Sequence, residues 1–189
     1  MKVFFVLFLL SGCITKQFVP SYSYKENQKA LLIYERGMEF KKMGEYPNAI
    51  NEFQRFIDYY DKIYLCDDAY YQIAECYKMQ EQWPEAIGSY KRLINKFSRP
   101  FILLRPFVKE RETKYIPEAM YKIGLSFEKK GDFLLAIKEY KKVITKHYNT
   151  EWGPLAEEGI KGIISKFPEA RWAKREEKIL ARLIKKVKR

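Results

Sequence analysis

The chain has 189 residues, a formal net charge of +12 and a hydrophobic fraction of 47%, which suffices for one domain with a substantial core. Its single histidine and three cysteines lack the close spacing of a zinc site, and residues 153–162 have the wrong spacing for a glycine-rich phosphate loop. These features exclude the common metal and nucleotide motifs. Because the acidic residues lie on predicted solvent faces, we expect no catalytic site, no metal and no cofactor.

A short apolar run near the N-terminus follows Lys2 and extends from Val3 to Leu10. As a helix these residues would measure about 12 Å, whereas the hydrocarbon core of a bilayer is about 30 Å thick. The run is therefore too short to span a membrane. Its charged start and small flanking residues are typical of a secretory signal, and we predict a signal peptide over residues 1–12.

The sequence Leu10-Ser11-Gly12-Cys13 resembles the lipobox of bacterial lipoproteins. The resemblance implies that the Cys13 thiol receives diacylglycerol, that the chain is cut before this residue and that the new amino group is acylated. Two or more acyl chains anchor a protein firmly, and the family's pattern supplies three. Ile14 in place of aspartate favours the outer membrane of a two-membrane bacterium, with the protein facing the periplasm. The alternative is an ordinary signal peptide with a chance cysteine.

The residues after the apolar run are predicted to connect the lipid to a folded domain. Residues 13–27 contain Pro20 and show no sustained hydrophobic period. We therefore expect a lipidated tether over residues 13–27 and one domain over residues 28–189.

Three segments of that domain can be aligned on one another, namely residues 36–57, 73–94 and 123–144. Apolar residues recur in them at spacings of three and four, as amphipathic helices require. The segments share a small residue, an aromatic, a second aromatic, an Ala-Ile pair and a last aromatic. In segment order these are Gly37, Phe40, Tyr46, Ala49-Ile50 and Phe53; Ala74, Tyr77, Trp83, Ala86-Ile87 and Tyr90; Gly124, Phe127, Phe133, Ala136-Ile137 and Tyr140.

Turn residues divide each segment into two helices. Gly44 and Gly131 lie where the first helix should end, and Pro47 and Pro84 lie in the first turn of the second helix. The whole pattern resembles the tetratricopeptide repeat. The resemblance implies an all-α solenoid of antiparallel helix pairs, with repeats over about residues 30–63, 67–100 and 117–150, degenerate helices over 151–189 and a C-terminal capping helix.

The spacing between repeats is uneven, because the interval from Ala86 to Ala136 is clearly longer than the interval from Ala49 to Ala86. We assign the difference to an insertion over residues 98–116. Its two prolines exclude one smooth helix, and a loop of this length needs a reason. Either it docks on its own repeats or it presents Phe101 and Phe107 to a partner.

The last part of the sequence is strongly basic, since residues 171–189 hold nine Lys or Arg and two Glu. In a cytosolic protein this charge would suggest nucleic acid, which an exported chain rarely meets. One interpretation is a cap with solvated lysines. The other is a basic amphipathic helix that contacts a membrane surface or an acidic protein through Lys185, Lys186 and Lys188.

In tetratricopeptide arrays the first helices of the pairs line a groove, and the resemblance implies that this surface binds peptides. Tyr34, Tyr71 and Tyr121 share one repeat position and could clasp an extended peptide. The alternative is that these tyrosines serve packing alone. The other candidate groove residues are Lys41, Glu75, Lys78, Leu125 and Glu128.

A lipobox, a tether and an exported repeat array together resemble the BamD-type (YfiO-type) lipoproteins of the outer-membrane β-barrel assembly machine. The resemblance implies a non-enzymatic scaffold that is anchored in the outer membrane and binds other envelope proteins, with no small-molecule substrate. A CpoB-like cell-envelope coordinator and a pilotin-like lipoprotein for secretin or pilus assembly are alternatives. An envelope enzyme or its regulatory subunit is a third.

Overall fold

The computed structural model describes residues 23–61, 63, 65–98 and 113–188. Within these ranges the chain forms eight α-helices and no strand. The helices are α1 (Tyr24–Lys42), α2 (Tyr46–Tyr60), α3 (Cys66–Met79), α4 (Trp83–Phe97), α5 (Tyr115–Lys130), α6 (Phe133–His147), α7 (Trp152–Ser165) and α8 (Arg171–Val187).

The helices pack as successive pairs. α1 packs on α2, α3 on α4 and α5 on α6, and the short turns between them make each pair antiparallel. Each following first helix packs on the second helix before it, so that α3 lies on α2, α5 on α4 and α7 on α6. This arrangement confirms the predicted all-α solenoid of helix pairs.

The start of α1 corrects the predicted length of the tether. The Ser23 hydroxyl accepts a hydrogen bond from the Glu26 backbone N–H at 3.3 Å, and the Ser23 N–H donates to the Glu26 carboxylate at 2.8 Å. This reciprocal capping box begins the helix at Tyr24, so residues 24–27 are helical rather than part of a tether. Residues 1–22, including the predicted signal peptide and Cys13, lie outside the described residues.

The predicted insertion falls largely outside the described part of the chain. Residues 99–112, and with them Phe101 and Phe107, are not among the described residues. The predicted insertion extends too far at its C-terminal end. It was expected to continue to residue 116, but α5 begins at Tyr115.

The turns within the pairs follow the sequence prediction in two cases. Gly44 and Gly131 have φ angles of +78° and +87°, in the left-handed region that glycine adopts without steric cost. The same place in the second pair is held by Glu81, with a φ of 57°. A left-handed backbone costs a residue with a Cβ atom about 1–2 kcal/mol, so this turn is strained.

Close contact between a small residue and an aromatic ring fixes the first three pairs. A Cβ atom added to Gly37 would lie 2.9 Å from the Phe53 ring, and one added to Gly124 would lie 2.6 Å from the Tyr140 ring. In the second pair Ala74 and Tyr90 are both fully buried. The small residues therefore admit the rings, as the sequence predicted.

The last helix, α8, covers the end of the core. Its apolar side chains pack against the cluster that is formed mainly by α4 to α7, and Lys141 on α6 pairs with Glu176 on α8 at 2.7 Å. α8 is thus the predicted capping helix. The apolar residues concerned are Trp172, Leu180, Leu183, Ile184 and Val187.

We expect Glu81→Gly to stabilise the protein by about 0.5–1 kcal/mol, because glycine removes the left-handed strain at a modest entropic cost in the unfolded chain. The matched change Gly131→Ala should destabilise it by about 1 kcal/mol, since it introduces the same strain. Urea unfolding followed by circular dichroism measures both changes. A loss of stability in Glu81→Gly would contradict the assignment of backbone strain to Glu81.

Candidate peptide-binding groove

The first helices of the pairs, α1, α3, α5 and α7, lie side by side and form one surface, here called the first-helix face. α3 contacts α5, and α5 contacts α7. α1 reaches α3 through side chains, because Lys41 donates a hydrogen bond to Gln72 at 2.5 Å. This face carries all eight candidate groove residues from the sequence.

A tyrosine on one first helix donates to a carboxylate on the next, and this contact occurs twice. The Tyr34 hydroxyl donates to Asp68, and the Tyr71 hydroxyl donates to Glu118 at 2.5 Å. Asp68 and Glu118 share one repeat position, because each precedes the buried alanine of its pair by the same interval. The contact therefore joins successive repeats in a fixed register.

The third tyrosine lacks such a partner. Leu155 on α7 precedes the buried Ala173 by that same interval and so stands where α3 and α5 have a carboxylate. The Tyr121 ring instead lies 5.4 Å from the Trp152 ring and 5.5 Å from the Tyr140 ring. Among the described residues its hydroxyl has no hydrogen-bond partner, and its side chain is half-buried.

A cluster of opposite charges lies between α3 and α5. The Glu75 carboxylate accepts hydrogen bonds from Lys122 at 2.8 Å, from Lys78 at 2.5 Å and from the Tyr90 hydroxyl. Lys122 also donates to the Tyr71 hydroxyl at 2.6 Å and pairs with Glu118 at 3.0 Å. The cluster satisfies every charge that it buries.

The electrostatics of the cluster keep it ionised. Burial favours a raised pKa for Glu75, but the hydrogen bonds from Lys122, Lys78 and Tyr90 outweigh it and leave the pKa below its usual value. Burial likewise opposes charge on Lys122, yet Glu75 and Glu118 raise its pKa. Burial also raises the pKa of Tyr71, and its hydrogen bond to Glu118 adds to that effect.

Two further side chains tie the start of α5 to the start of α3. Tyr115 donates to Asp68, and Thr113 donates to Asp67. The Tyr115 ring stacks on the Tyr71 ring, with centroids 4.6 Å apart. Asp68 therefore accepts from both neighbouring first helices, and the α1–α3–α5 part of the face is closed by internal contacts.

These contacts correct the predicted groove for several residues. Tyr71 and Glu75 are each 8% exposed, so a partner cannot reach them without opening the repeats. Tyr34, Lys41 and Lys78 remain half-buried, with their polar atoms bound inside the protein. For Tyr34 and Tyr71 the packing alternative describes the observed role.

The α5–α7 part of the face differs in having fewer polar contacts between its described side chains. Tyr121, Leu125 and Trp152 are half-buried. Glu128 closes its far end, because it accepts from the Tyr140 hydroxyl at 3.1 Å and from Lys166 at 3.0 Å.

Sequence reasoning missed Trp152 as a groove residue. A signal for it was present, because Trp152 stands as far before the alanine of its pair, Ala173, as Tyr115 stands before Ala136. It was overlooked because the repeat pattern decays after His147 and leaves the fourth pair without an obvious register.

The basic candidates on α8 lie away from this face. Lys185 and Lys186 are exposed, and Lys188 lies 5.7 Å from the centre of the Tyr148 ring. The described residues contain no group of three or more His, Cys, Asp or Glu side chains that could hold a metal. None of the described helices combines the length and apolar character that crossing a membrane requires.

Comparison with known proteins agrees with this architecture. Residues 68–99 and 118–149 match the family model of the tetratricopeptide repeat, so the chain contains tetratricopeptide repeats. The N-terminal domain of stress-induced protein-1 (STI-1) from C. elegans is similar in structure, with a TM-score of 0.52, 16% identity, and coverage of 70% of this chain and 94% of that one. At that identity the likeness shows the fold alone.

A second solved structure, that of MamA, has a TM-score of 0.49 and 20% identity and covers 86% of this chain and 82% of its own. No curated protein sequence matches the chain.

We expect Tyr71→Phe to lower the free energy of unfolding by about 1–2 kcal/mol, because it removes the hydroxyl that donates to Glu118 and accepts from Lys122 in a partly buried cluster. Tyr121→Phe is the matched control and should change stability by no more than about 0.5 kcal/mol, since its hydroxyl makes no hydrogen bond within the described residues. Urea titration of both variants measures the difference. Equal effects would show that the two tyrosines have the same role.

Proposed function

We propose that this tetratricopeptide-repeat solenoid is a non-enzymatic protein-binding scaffold, held at a bacterial envelope membrane by lipid on Cys13. The repeats support the protein-binding part, because such arrays recognise other proteins through the shape of packed helices.

The division of the first-helix face is the observation that carries the binding proposal. The α1–α3–α5 part uses its polar groups for internal contacts, whereas the α5–α7 part leaves Tyr121, Leu125 and Trp152 partly exposed. Two aromatic rings, and a hydroxyl without a hydrogen-bond partner among the described residues, suit an extended peptide, which offers backbone carbonyls as acceptors and side chains for packing. The partner's peptide is therefore expected between α5 and α7.

The anchor would keep this surface near the membrane. Ser23, the cap of α1, lies ten positions after Cys13, and a fully extended chain over that distance reaches about 35 Å. A scaffold on such a tether meets other membrane-bound components at high local concentration.

Within this function we propose a BamD-like role in the assembly of outer-membrane β-barrel proteins. The lipobox, the sorting residue Ile14 and the exported repeat array support it. A CpoB-like coordinator or a pilotin-like lipoprotein would use the same anchor and fold, so the identity of the bound proteins separates these roles.

Replacement of Cys13 by serine tests the anchor, because only the cysteine sulfur can carry the thioether-linked lipid. In bacterial cells we expect the native chain to be labelled by radioactive palmitate and to remain in the membrane fraction after a salt wash. We expect Cys13→Ser to be unlabelled and to appear in the soluble fraction. The buried Cys66 offers a control, since Cys66→Ala should keep the label. Continued palmitate labelling of Cys13→Ser would sink the proposed anchor.

Replacement of Tyr121 by alanine tests the peptide site. After mild detergent extraction, we expect β-barrel assembly proteins to co-purify with the native chain and to be reduced at least about fivefold with Tyr121→Ala. Tyr59→Ala is the matched control, because Tyr59 is an exposed tyrosine on a second helix. Recovery of secretin or peptidoglycan-synthesis proteins instead would support an alternative role, and equal recovery with both variants would reject the site.

A further inference from the structure

The fourth helix pair keeps the register of the other three but lacks their closing contact. Ala173 is fully buried near the start of α8, as Ala49, Ala86 and Ala136 are near the starts of α2, α4 and α6. In each earlier pair the small residue stands twelve positions before the buried alanine of that pair. The aromatic residue that packs on the small residue stands four positions after the same alanine. In the fourth pair those positions hold Lys161 and Glu177.

This replacement leaves α7 and α8 apart. A lysine and a glutamate cannot form the tight contact of a small residue with a ring, because each must keep its charged end solvated or paired. Lys161 turns to Glu157, with its Nζ 2.6 Å from the carboxylate. The result is a half-open groove of about 660 Å³ between the two helices, here called the α7–α8 groove.

The α7–α8 groove lies where a further first helix would continue the solenoid. On α6 the corresponding positions are Ile137 and Ile144, which are 1% and 0% exposed in the core cluster that also contains residues of α7. On α8 the same positions hold Lys174 and Ala181, and both line the groove. Ile164, Pro168 and Ile184 supply the rest of its apolar surface.

The exposed edge of α8 beside the groove is basic, whereas the lining of the groove balances two lysines, Lys161 and Lys174, with two glutamates, Glu157 and Glu177. Lys174, Lys178, Ala181 and Lys185 are spaced by four, three and four residues, so they form one line along α8. All four are exposed. Residues 171–188 hold eight basic and two acidic residues, and Glu176 pairs with Lys141. Of the lysine line, Lys174 also pairs with the exposed Glu169 at 3.0 Å.

We propose that the α7–α8 groove binds an amphipathic helix of a partner protein, with apolar side chains on Ala181, Ile184 and Ile164 and acidic side chains along the lysine line. Each earlier pair already receives such a helix, because α3, α5 and α7 pack on the second helices before them. A helix bound in the groove would pack on α8 as α3, α5 and α7 pack on the second helices before them. The basic edge of α8 would favour a helix with acidic side chains.

Two other occupants fit less well. A membrane surface is flat and cannot enter a groove, and the apolar face of α8 is already packed on the core. A second copy of the chain carries a net charge of +12 and would bring like charge to a basic edge. The site is separate from the first-helix face and does not require the lipid anchor.

Binding is measured with a synthetic peptide of about 18 residues, fluorescently labelled, with a leucine stripe at helical spacing and glutamate elsewhere. The probe is titrated with the full chain in detergent micelles, and a peptide with lysine in place of glutamate is the charge control. We expect saturable binding of the acidic peptide, at least about tenfold tighter than that of the lysine peptide. Binding should weaken with added salt.

Two variants assign the binding to the groove. Ala181→Trp fills it from an exposed position and should weaken binding about tenfold, whereas Lys178→Glu should weaken it about fivefold and reduce its salt dependence. Arg92→Glu, on the exposed surface of α4, is the matched charge control and should bind as the native chain does. Circular dichroism confirms that the variants are folded.

Three results would overturn the proposal. One is equal binding of the acidic peptide by the native chain and by folded Ala181→Trp and Lys178→Glu. Another is capture of phosphatidylglycerol vesicles, reduced by Lys178→Glu, with no binding of the acidic peptide. The third is a concentration-dependent dimer, seen by sedimentation, that Ala181→Trp abolishes while the peptide stays unbound. Because the readout is a peptide at α8, these results do not depend on Tyr121 or Cys13.

Discussion

The contact between a small residue and an aromatic ring within each of the first three helix pairs is the constraint on which this structure depends. Gly37 against Phe53 and Gly124 against Tyr140 leave no room for a Cβ atom, so the two helices of a pair have one depth of approach. That approach buries the alanine of the second helix and presents a surface on which the next first helix packs. The solenoid is the repetition of this step, and it changes character where the contact is replaced by Lys161 and Glu177.

The polar groups of the first-helix face serve the repeats as much as any partner. Tyr34 and Tyr71 donate to carboxylates on the next first helix. Glu75 accepts hydrogen bonds from two lysines and a tyrosine hydroxyl. Buried charges of this kind are stable only when all their partners are in place, so they fix the angle between neighbouring repeats. A surface that looks suited to peptide binding is here partly a joint between repeats.

Open surface remains at two places in the later part of the solenoid. One is the first-helix face between α5 and α7, where Tyr121 and Trp152 lie, and the other is the α7–α8 groove. They lie on different sides of α7, so they could hold two segments at once.

The sequence by itself determined the helix pairs. Hydrophobic spacing, the left-handed glycines, the prolines in first turns and the small and aromatic positions all act within a single helix pair, and each was found where expected. The capping box at Ser23 and Glu26 was also legible in the sequence, and overlooking it misplaced the start of α1.

Only the tertiary structure decided which of three equivalent tyrosines is available. Whether a tyrosine is available depends on the residue at the equivalent position of the next first helix. For Tyr34 and Tyr71 this residue is a carboxylate, Asp68 or Glu118, which accepts the hydroxyl proton. For Tyr121 it is the apolar Leu155. For the first two tyrosines those partners lie on another helix pair, far away along the chain. The groove has the same origin, since the repeat pattern decays after His147 and the burial of Ala173 establishes the register of the fourth pair. Local pattern fixes each helix, but the side chain that faces a given atom is set by how the helices stack.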